Sequence, residues 1–283
     1  MSLLRIGSRG SEVDRLQRLL IAVGSLPSTE SVDGIFGRGT DRAVRAFQDA
    51  AGLVSDGIVG PSTWAALEGH DAVRDGGSVE PPGPLPVVLR AIGAAGHSVY
   101  WRGDYHLTLF GIRSESREAN RFDDVLGVAY TVDGRWVVET FAGTTDPGSY
   151  WLQNPSRVSG TAILVPGQYR DVWRIDLHGG KYSALCQRAG NVRVYRDLNR
   201  DDVLDLDPST IVEGSFGINI HRSRAGGESE AVEKWSAGCQ VFKRSADFDR
   251  VMTLARQQVE KTGIETFSYT LISEPLSVAP SAE

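Results

Sequence analysis

The sequence predicts a multidomain chain: a small all-α domain of three short helices at residues 1–69, then a linker, then a mainly-β domain, sandwich or barrel, with one C-terminal helix. Three observations predict it. Apolar residues recur at helical spacing within the first 68 residues and again near residue 250, whereas the apolar segments between are short, β-branched and separated by turns. A phrase repeats inside the first unit, Val32-Asp-Gly-Ile-Phe-Gly-Arg-Gly-Thr40 and Ser55-Asp-Gly-Ile-Val-Gly-Pro-Ser-Thr63. Between the units runs Pro81-Pro-Gly-Pro-Leu-Pro86, which favours extended polyproline geometry.

The first helix starts near Ser11, where Ser-x-x-Asp makes an acidic first turn, and carries Val13, Leu16, Leu20 and Val23 on one face. Each Asp-Gly-Ile-x-Gly phrase reads as a turn whose glycines can take positive φ, with Thr40 or Thr63 placed to cap the helix behind it. The second helix then shows Ala43, Val44, Phe47 and Ala51 at helical spacing, and the third follows Pro61 with Trp64 and Leu67. Residues 70–96 read as a Pro/Gly-rich linker, with His70 solvated. From 97 to 274, strands are expected around His106–Ile112, Trp136–Phe141, Thr161–Val165, Asn191–Tyr195 and Phe216–His221. A helix from Asp247 to Thr262 buries Phe248, Val251, Met252, Ala255 and Val259, and 275–283 reads as a disordered tail.

At 283 residues, 41% hydrophobic and 23% charged, the chain has material for about two domains. Its net charge of −6, with no Lys/Arg cluster, argues against a nucleic-acid partner. No apolar run approaches the roughly 18 residues of a membrane span, and the N-terminus shows no signal-peptide core, so the expectation is a chain made in the cytoplasm without a Sec signal and without a membrane partner. Two cysteines, Cys186 and Cys239, exclude a disulfide framework. Cys186, in Tyr-Ser-Ala-Leu-Cys-Gln, reads as a small buried hydrophobe.

Cys239 reads differently because of its surroundings. In Ile218-Asn219-Ile220-His221 the side chains of a strand alternate, so with both Ile in the core, Asn219 and His221 face a groove where a general base belongs. Ser236-Ala-Gly238-Cys239 is a compact turn whose backbone N–H groups can approach a substrate carbonyl. A thiol and an imidazole so placed suit nucleophilic catalysis: His221 takes the proton, and a thiolate–imidazolium pair is expected to lower the Cys239 pKa.

His221, fourteen residues, and then Ser236-Ala-Gly-Cys resembles the signature of the L,D-transpeptidase catalytic domain (the YkuD-like type), in which Ser/Thr-His-Gly-Cys follows the His. Two positions depart from it. Ala237 replaces the usual His, and Val241, with Gln240 beside it, replaces the usual Arg or Asn. The resemblance implies an acyl-Cys239 intermediate on the stem peptide of peptidoglycan, no cofactor, and a backbone carbonyl near Arg222 or Ser223 that orients His221. Asn219, Arg222 and Gln240 are the substrate-binding candidates. Leu4-Arg-Ile-Gly-Ser-Arg-Gly-Ser-Glu-Val with the two Asp-Gly-Ile repeats resembles the three-helix peptidoglycan-binding domain, which implies a role in holding the enzyme on its substrate, with Arg38, Thr40 and Gln48 as groove candidates. Together these imply a peptidoglycan hydrolase or transpeptidase that acts in the periplasm or wall after delivery by a holin or an injection machine. Lacking a signal peptide suits lysis better than cross-linking, so water is the favoured acceptor, as in an L,D-carboxypeptidase, endopeptidase or endolysin.

Two further patterns concern metals. Asp197, Asn199, Asp201 and the Val203 carbonyl fall at the alternate positions of an EF-hand or dockerin loop, with Asp205 or Asp207 left to close a calcium shell because position twelve is Pro208. The alternative is an acidic turn between strands. His178, at a strand end before two glycines, is a loop histidine, a substrate-polarising group, or, with His221 and Cys239, a zinc set like that of peptidoglycan amidases. A non-catalytic wall-binding part of a phage or injection particle is the third reading of the whole chain.

Overall fold

A computed structural model of the chain describes residues 3–22, 25–27, 32–50, 53–64, 67, 81–101 and 103–274. They divide into two compact units, Met1–Glu80 and Pro81–Glu283. His70, Val23, Ala51, most of the expected linker and the tail from 275 lie outside the described residues.

In the first unit α1 spans Ser11–Ala22, α2 spans Arg38–Ala50, and residues 61–64 begin a third helix. Val13, Leu16, Leu20, Val44, Phe47 and Trp64 are at most 2% exposed and form its core. The repeat explains itself through two buried glutamines. Gln17 Nε2 donates to Asp33 Oδ1 (2.8 Å), Ile35 O (3.1 Å) and Thr40 Oγ1 (3.2 Å), while its Oε1 accepts from the N–H groups of Asp33 and Gly34. Gln48 repeats the clamp on Asp56, Ile58 O and Thr63, and accepts from Gly57 N–H. Gly34 and Gly57 take φ of 65° and 71°, as the turns require.

This corrects two expectations. Thr40 and Gln48, 4% and 1% exposed, are interior fasteners rather than groove residues; Arg38 stays exposed. Because α2 begins at Arg38, Thr40 lies inside its first turn and does not cap it. Gln48→Ala strands the buried Gly57 N–H and removes the bonds to Asp56, Ile58 O and Thr63, and is expected to cost roughly 2 kcal/mol. Denaturant unfolding of the full chain measures this; a loss under about 1 kcal/mol would refute the clamp.

The second unit holds β1 Thr108–Arg113, β2 Asp124–Val132, β3 Arg135–Thr144, β4 Thr161–Leu164, β5 Gly167–His178, β6 Tyr182–Gln187, β7 Val192–Asp197, β8 Val212–Gly214, β9 Ile220–Arg222, β10 Gln240–Phe242 and β11 Thr266–Ser273. Eight of these close a barrel in the order β1-β11-β5-β6-β9-β10-β3-β2, and β4-β7-β8 form a separate sheet. The barrel is filled by Trp173, Tyr269, Leu185, Ile220 and Phe242, and the face of α5 (Ser245–Thr262) carrying Phe248, Val251, Met252 and Ala255 joins the same cluster. A short helix, α4, spans Ser149–Gln153.

The linker ends earlier than expected. Val87–Ala94 forms α3, whose Val88, Leu89, Ala91 and Ile92 pack on Phe110, Ile112, Ala129 and Ile272, so the boundary moves from 97 to about 81. Pro86 sits at the N-cap, where a missing N–H costs nothing, and so it precedes the helix instead of preventing it.

Candidate active site

Three segments meet at one end of the barrel. β5 and β6 form a hairpin whose last pair is His178 and Tyr182, β6 runs antiparallel to β9 with Leu185 opposite Ile220, and β9 runs parallel to β10 with His221 opposite Val241. The alternation expected on the β9 approach is present: Ile218 and Ile220 join the core cluster, while Asn219 and His221 belong to the polar cluster. The parallel pairing of β9 and β10 demands a long crossover, and it is the end of that crossover that carries Ser236 to Cys239.

The hydrogen bonds assign the two histidine tautomers. His221 Nδ1 lies 2.8 Å from Arg222 O, and a carbonyl only accepts, so the proton is on Nδ1 and the Nε2 lone pair is free. The Tyr182 hydroxyl, 3.4 Å from the same carbonyl, donates to it as well. Asn219 Oδ1 accepts from Gln187 N–H (2.9 Å), which turns its amide NH₂ toward His178 Nδ1 (3.0 Å). His178 therefore accepts at Nδ1 and carries its proton on Nε2. The two rings stack at 4.1 Å with an interplanar angle of 23°. One imidazole thus offers a base and its neighbour a donor.

The thiol sits in a turn built around one glycine. Gly238 has φ 112°, and a Cβ there would stand 2.1 Å from Ala162 O, so no other residue fits without moving the backbone. Ser236 Oγ accepts from Gly238 N–H (3.1 Å) and donates to Cys239 O (2.9 Å), which closes the turn. Ser236 is fully buried, so its hydroxyl serves the turn and not the groove. Gln240, also fully buried, accepts from the Tyr269 hydroxyl (2.8 Å) and sends its Nε2 toward Thr145 O and Gly238 O (3.4 Å each). That corrects its expected role: it is an internal strut rather than a substrate ligand, because β10 alternation turns it into the barrel. By holding the Gly238 carbonyl inward it turns the Cys239 N–H of the same trans peptide the other way, and among the described residues that N–H has no acceptor. An N–H so placed has the geometry that an oxyanion donor needs.

Cys239 Sγ accepts from Asn219 N–H (3.4 Å) and faces Gly217 O (3.5 Å). Burial pushes the thiol from 9.0 up to about 11, only partly offset by the Asn219 N–H. Burial also depresses His221 to about 3, aided by His178 and opposed by the Arg222 carbonyl. His178 is lowered too, by burial and then by Arg188 and Lys181. Both shifts run against the expected thiolate–imidazolium pair, because desolvation penalises both ions and favours neutral thiol and neutral imidazoles.

Other expected residues fall as follows. Arg222 lays its guanidinium 4.3 Å from the Tyr182 ring centroid, at the site. Tyr182 was missed, and being 39 residues from His221 it left no local signal. Cys186 is buried and free, as read. The acidic loop closes on its own N–H groups: Asp197 Oδ2 accepts from Asp205, Asn199 Oδ1 from Asp201, and Asp201 Oδ1 from Val203. Burial raises Asp197 to about 6. Among the described residues no three His, Cys, Asp or Glu side chains group to hold a metal. For His178 and His221 the reason is geometric. A zinc ion lies in the plane of each ligating ring about 2.0–2.1 Å from nitrogen, and planes 4.1 Å apart that tilt by 23° do not meet so close to both.

Fold and site together define a class: a small helical repeat unit joined to a closed β-barrel whose buried Cys239 is held by Asn219 N–H, two residues before a histidine that stacks on a second. Residues 9–67 match the family described as putative peptidoglycan binding domain, and the N-terminal unit is a domain of that type. Over 77 residues the chain is 44% identical to a probable N-acetylmuramoyl-L-alanine amidase of Bacillus licheniformis, covering 27% of this chain and 22% of that protein. Over 60 residues it is 43% identical to the zinc D-Ala-D-Ala carboxypeptidase of Streptomyces albus G, covering 20% and 24%. The chain thus spans less than a quarter of either relative. Among solved structures, an L,D-transpeptidase (Yku) from Stackebrandtia nassauensis aligns over 99% of this chain and 97% of its own at 13% identity and a TM-score of 0.25, a likeness too low to carry an argument.

Proposed function

We propose that the protein is a peptidoglycan-degrading or remodelling enzyme that holds the wall through its N-terminal unit and cleaves the stem peptide through an acyl-Cys239 intermediate. The observation that carries this reading is the pairing of a turn-borne thiol, whose own N–H is free, with a histidine whose Nδ1 is tied and whose Nε2 is free. His221 Nε2 removes the thiol proton as Sγ attacks the carbonyl carbon. The oxyanion takes the Cys239 N–H, and His178 Nε2–H supplies a second donor. Collapse breaks the C–N bond, His221 returns the proton to the departing amine, and a thioester remains. Water, deprotonated by the same nitrogen, then releases the acid and restores the thiol; an amine acceptor in its place gives the transpeptidase outcome. Hydrolysis is the preferred branch, as in an L,D-carboxypeptidase or endopeptidase.

No metal enters this scheme. The zinc amidase reading is disfavoured by the stacked rings, and a calcium ion at the Asp197–Asp205 loop, where Asp197 Oδ1 is buried without a partner among the described residues, has no part in this chemistry. Among the described residues no helix is long and apolar enough to cross a membrane; delivery to the wall by a holin or injection machine belongs to the proposal. The test is mass spectrometry of purified muropeptides incubated with the protein in EDTA. Loss of a terminal D-Ala, a stem cut or a new cross-link, with a stem-fragment adduct on intact protein, is the expected result. Activity abolished by EDTA would overturn the thiol reading in favour of the metal one, and unchanged muropeptides with sacculi still bound would leave a wall-binding part.

A further inference from the structure

Trp235 stands immediately before the nucleophile turn and is 44% exposed, the only exposed one of the six tryptophans. Among the described residues its ring stacks on no other ring and its indole N–H finds no acceptor. Exposure of this kind usually accompanies a loose loop, yet this loop is fastened on every side. Val232 N–H donates to Asn120 O (3.2 Å), Trp235 N–H to Val232 O (2.9 Å), Trp151 Nε1 to Lys234 O (3.0 Å) and Gly148 N–H to Ser236 O (3.0 Å). Gly148 approaches so closely that a Cβ there would stand 2.1 Å from Glu233 O, and Glu233 is held at φ 45°, a conformation L residues adopt at a cost. The fold spends rigidity and strain to present an indole to solvent.

We propose that Trp235 is a platform for a pyranose ring of the glycan to which the scissile peptide is attached, a proposal that rests on the function proposed above. A flat apolar face with a donor on its edge matches a sugar, which offers a face of C–H groups and a rim of hydroxyl acceptors. Position supports the same occupant. Trp235 is four residues from Cys239, so their Cα atoms are at most about 14 Å apart, and the closed Ser236 turn shortens that. A stem of about three residues between sugar and attacked carbonyl spans roughly 10 Å. The platform is continuous with the turn that holds the thiol, so a sugar seated there sets the register of the peptide over Sγ.

The experiment compares kcat/KM on a disaccharide-bearing muropeptide with that on the same stem peptide lacking sugar. Trp235→Ala is expected to lower the ratio of the two about tenfold, and Trp235→Tyr, which keeps an aromatic face, to restore most of it. An unchanged ratio overturns the platform, because a general defect in the turn lowers both substrates alike. Should the wild type act on neither substrate, the function proposed above fails while the platform is still read separately. In full-length Cys239→Ala, the indole N–H resonance of Trp235, assigned by its loss in the added Trp235→Ala variant, is expected to shift on titration with the GlcNAc–MurNAc disaccharide. No shift at saturating disaccharide overturns it.

Discussion

Gly238→Ala is expected to abolish turnover and to unfold the barrel unit at a lower temperature, whereas Cys239→Ala abolishes turnover and leaves folding intact. The contrast follows from what each residue does in the turn. A methyl at position 238 meets Ala162 O at 2.1 Å in a backbone conformation of φ 112°, and relief requires the turn to leave the β4 segment it leans on. Steric strain of this kind costs on the order of 4 kcal/mol, or about 8–16 °C in Tm for a unit of this size. Any fraction that folds has lost the direction of the Cys239 N–H as well as the position of the thiol. Cys239→Ala removes only a sulfur atom that is 9% exposed, so its Tm is expected to stay within about 3 °C while kcat falls at least about 10³-fold. Calorimetry and muropeptide turnover on both variants check this. An alanine at 238 with wild-type Tm and activity would show that the turn does not define the site.

The parts of the molecule that could be read from sequence are those encoded locally. The helix expected from Asp247 to Thr262 is Ser245–Thr262, because its apolar residues recur every three or four positions and Gly263 stops it in the left-handed region. The three-helix unit was legible because its phrase repeats, but the repeat's meaning was not. Gln17 and Gln48 reach forward 16 and 8 residues to Asp33 and Asp56, and only the fold shows that this makes them interior. The linker was overextended because a proline run was read as excluding the helix that follows it. In the second unit the five expected segments became strands, three in the barrel and two in the separate sheet, with Phe216–His221 reduced to Ile220–Arg222. β2, buried over nearly its whole length, lacks the alternation that marks a one-sided strand.

The candidate site divides in the same way. Cys239, His221 and Gly238 were proposed from local pattern, and the carbonyl named near Arg222 lies 2.8 Å from His221 Nδ1. His178 was named for its place at a strand end before two glycines, whereas Tyr182, from the same hairpin about 40 residues upstream, left no local signal. Sequence gives residue type, while protonation follows from burial, which is collective. That is why burial argues against the ion pair that the local pattern suggested.

The charge state of the thiol yields the sharpest kinetic expectation. With the thiol raised from 9.0 to about 11, the thiolate population at any given pH below 9 falls about 100-fold. A more basic thiolate is intrinsically the better nucleophile, which recovers about tenfold, so iodoacetamide is expected to alkylate Cys239 about tenfold more slowly than an exposed cysteine at pH 7.5. The rate is expected to climb about tenfold per pH unit up to about pH 10 without a plateau. Turnover obeys a different limb. It needs His221 as a base, and since burial lowers that imidazole to about 3, acidification removes the base only as the pH falls toward 3, not through the ordinary 6.5. kcat/KM is therefore expected to stay flat between about pH 5 and 9. A thiolate–imidazolium resting pair makes the opposite demand, with alkylation already at its plateau near neutrality. Parallel pH profiles of alkylation and of kcat/KM, the first on full-length protein followed by mass spectrometry, separate the two: a plateau of alkylation below pH 8 would establish the ion pair and refute the neutral site.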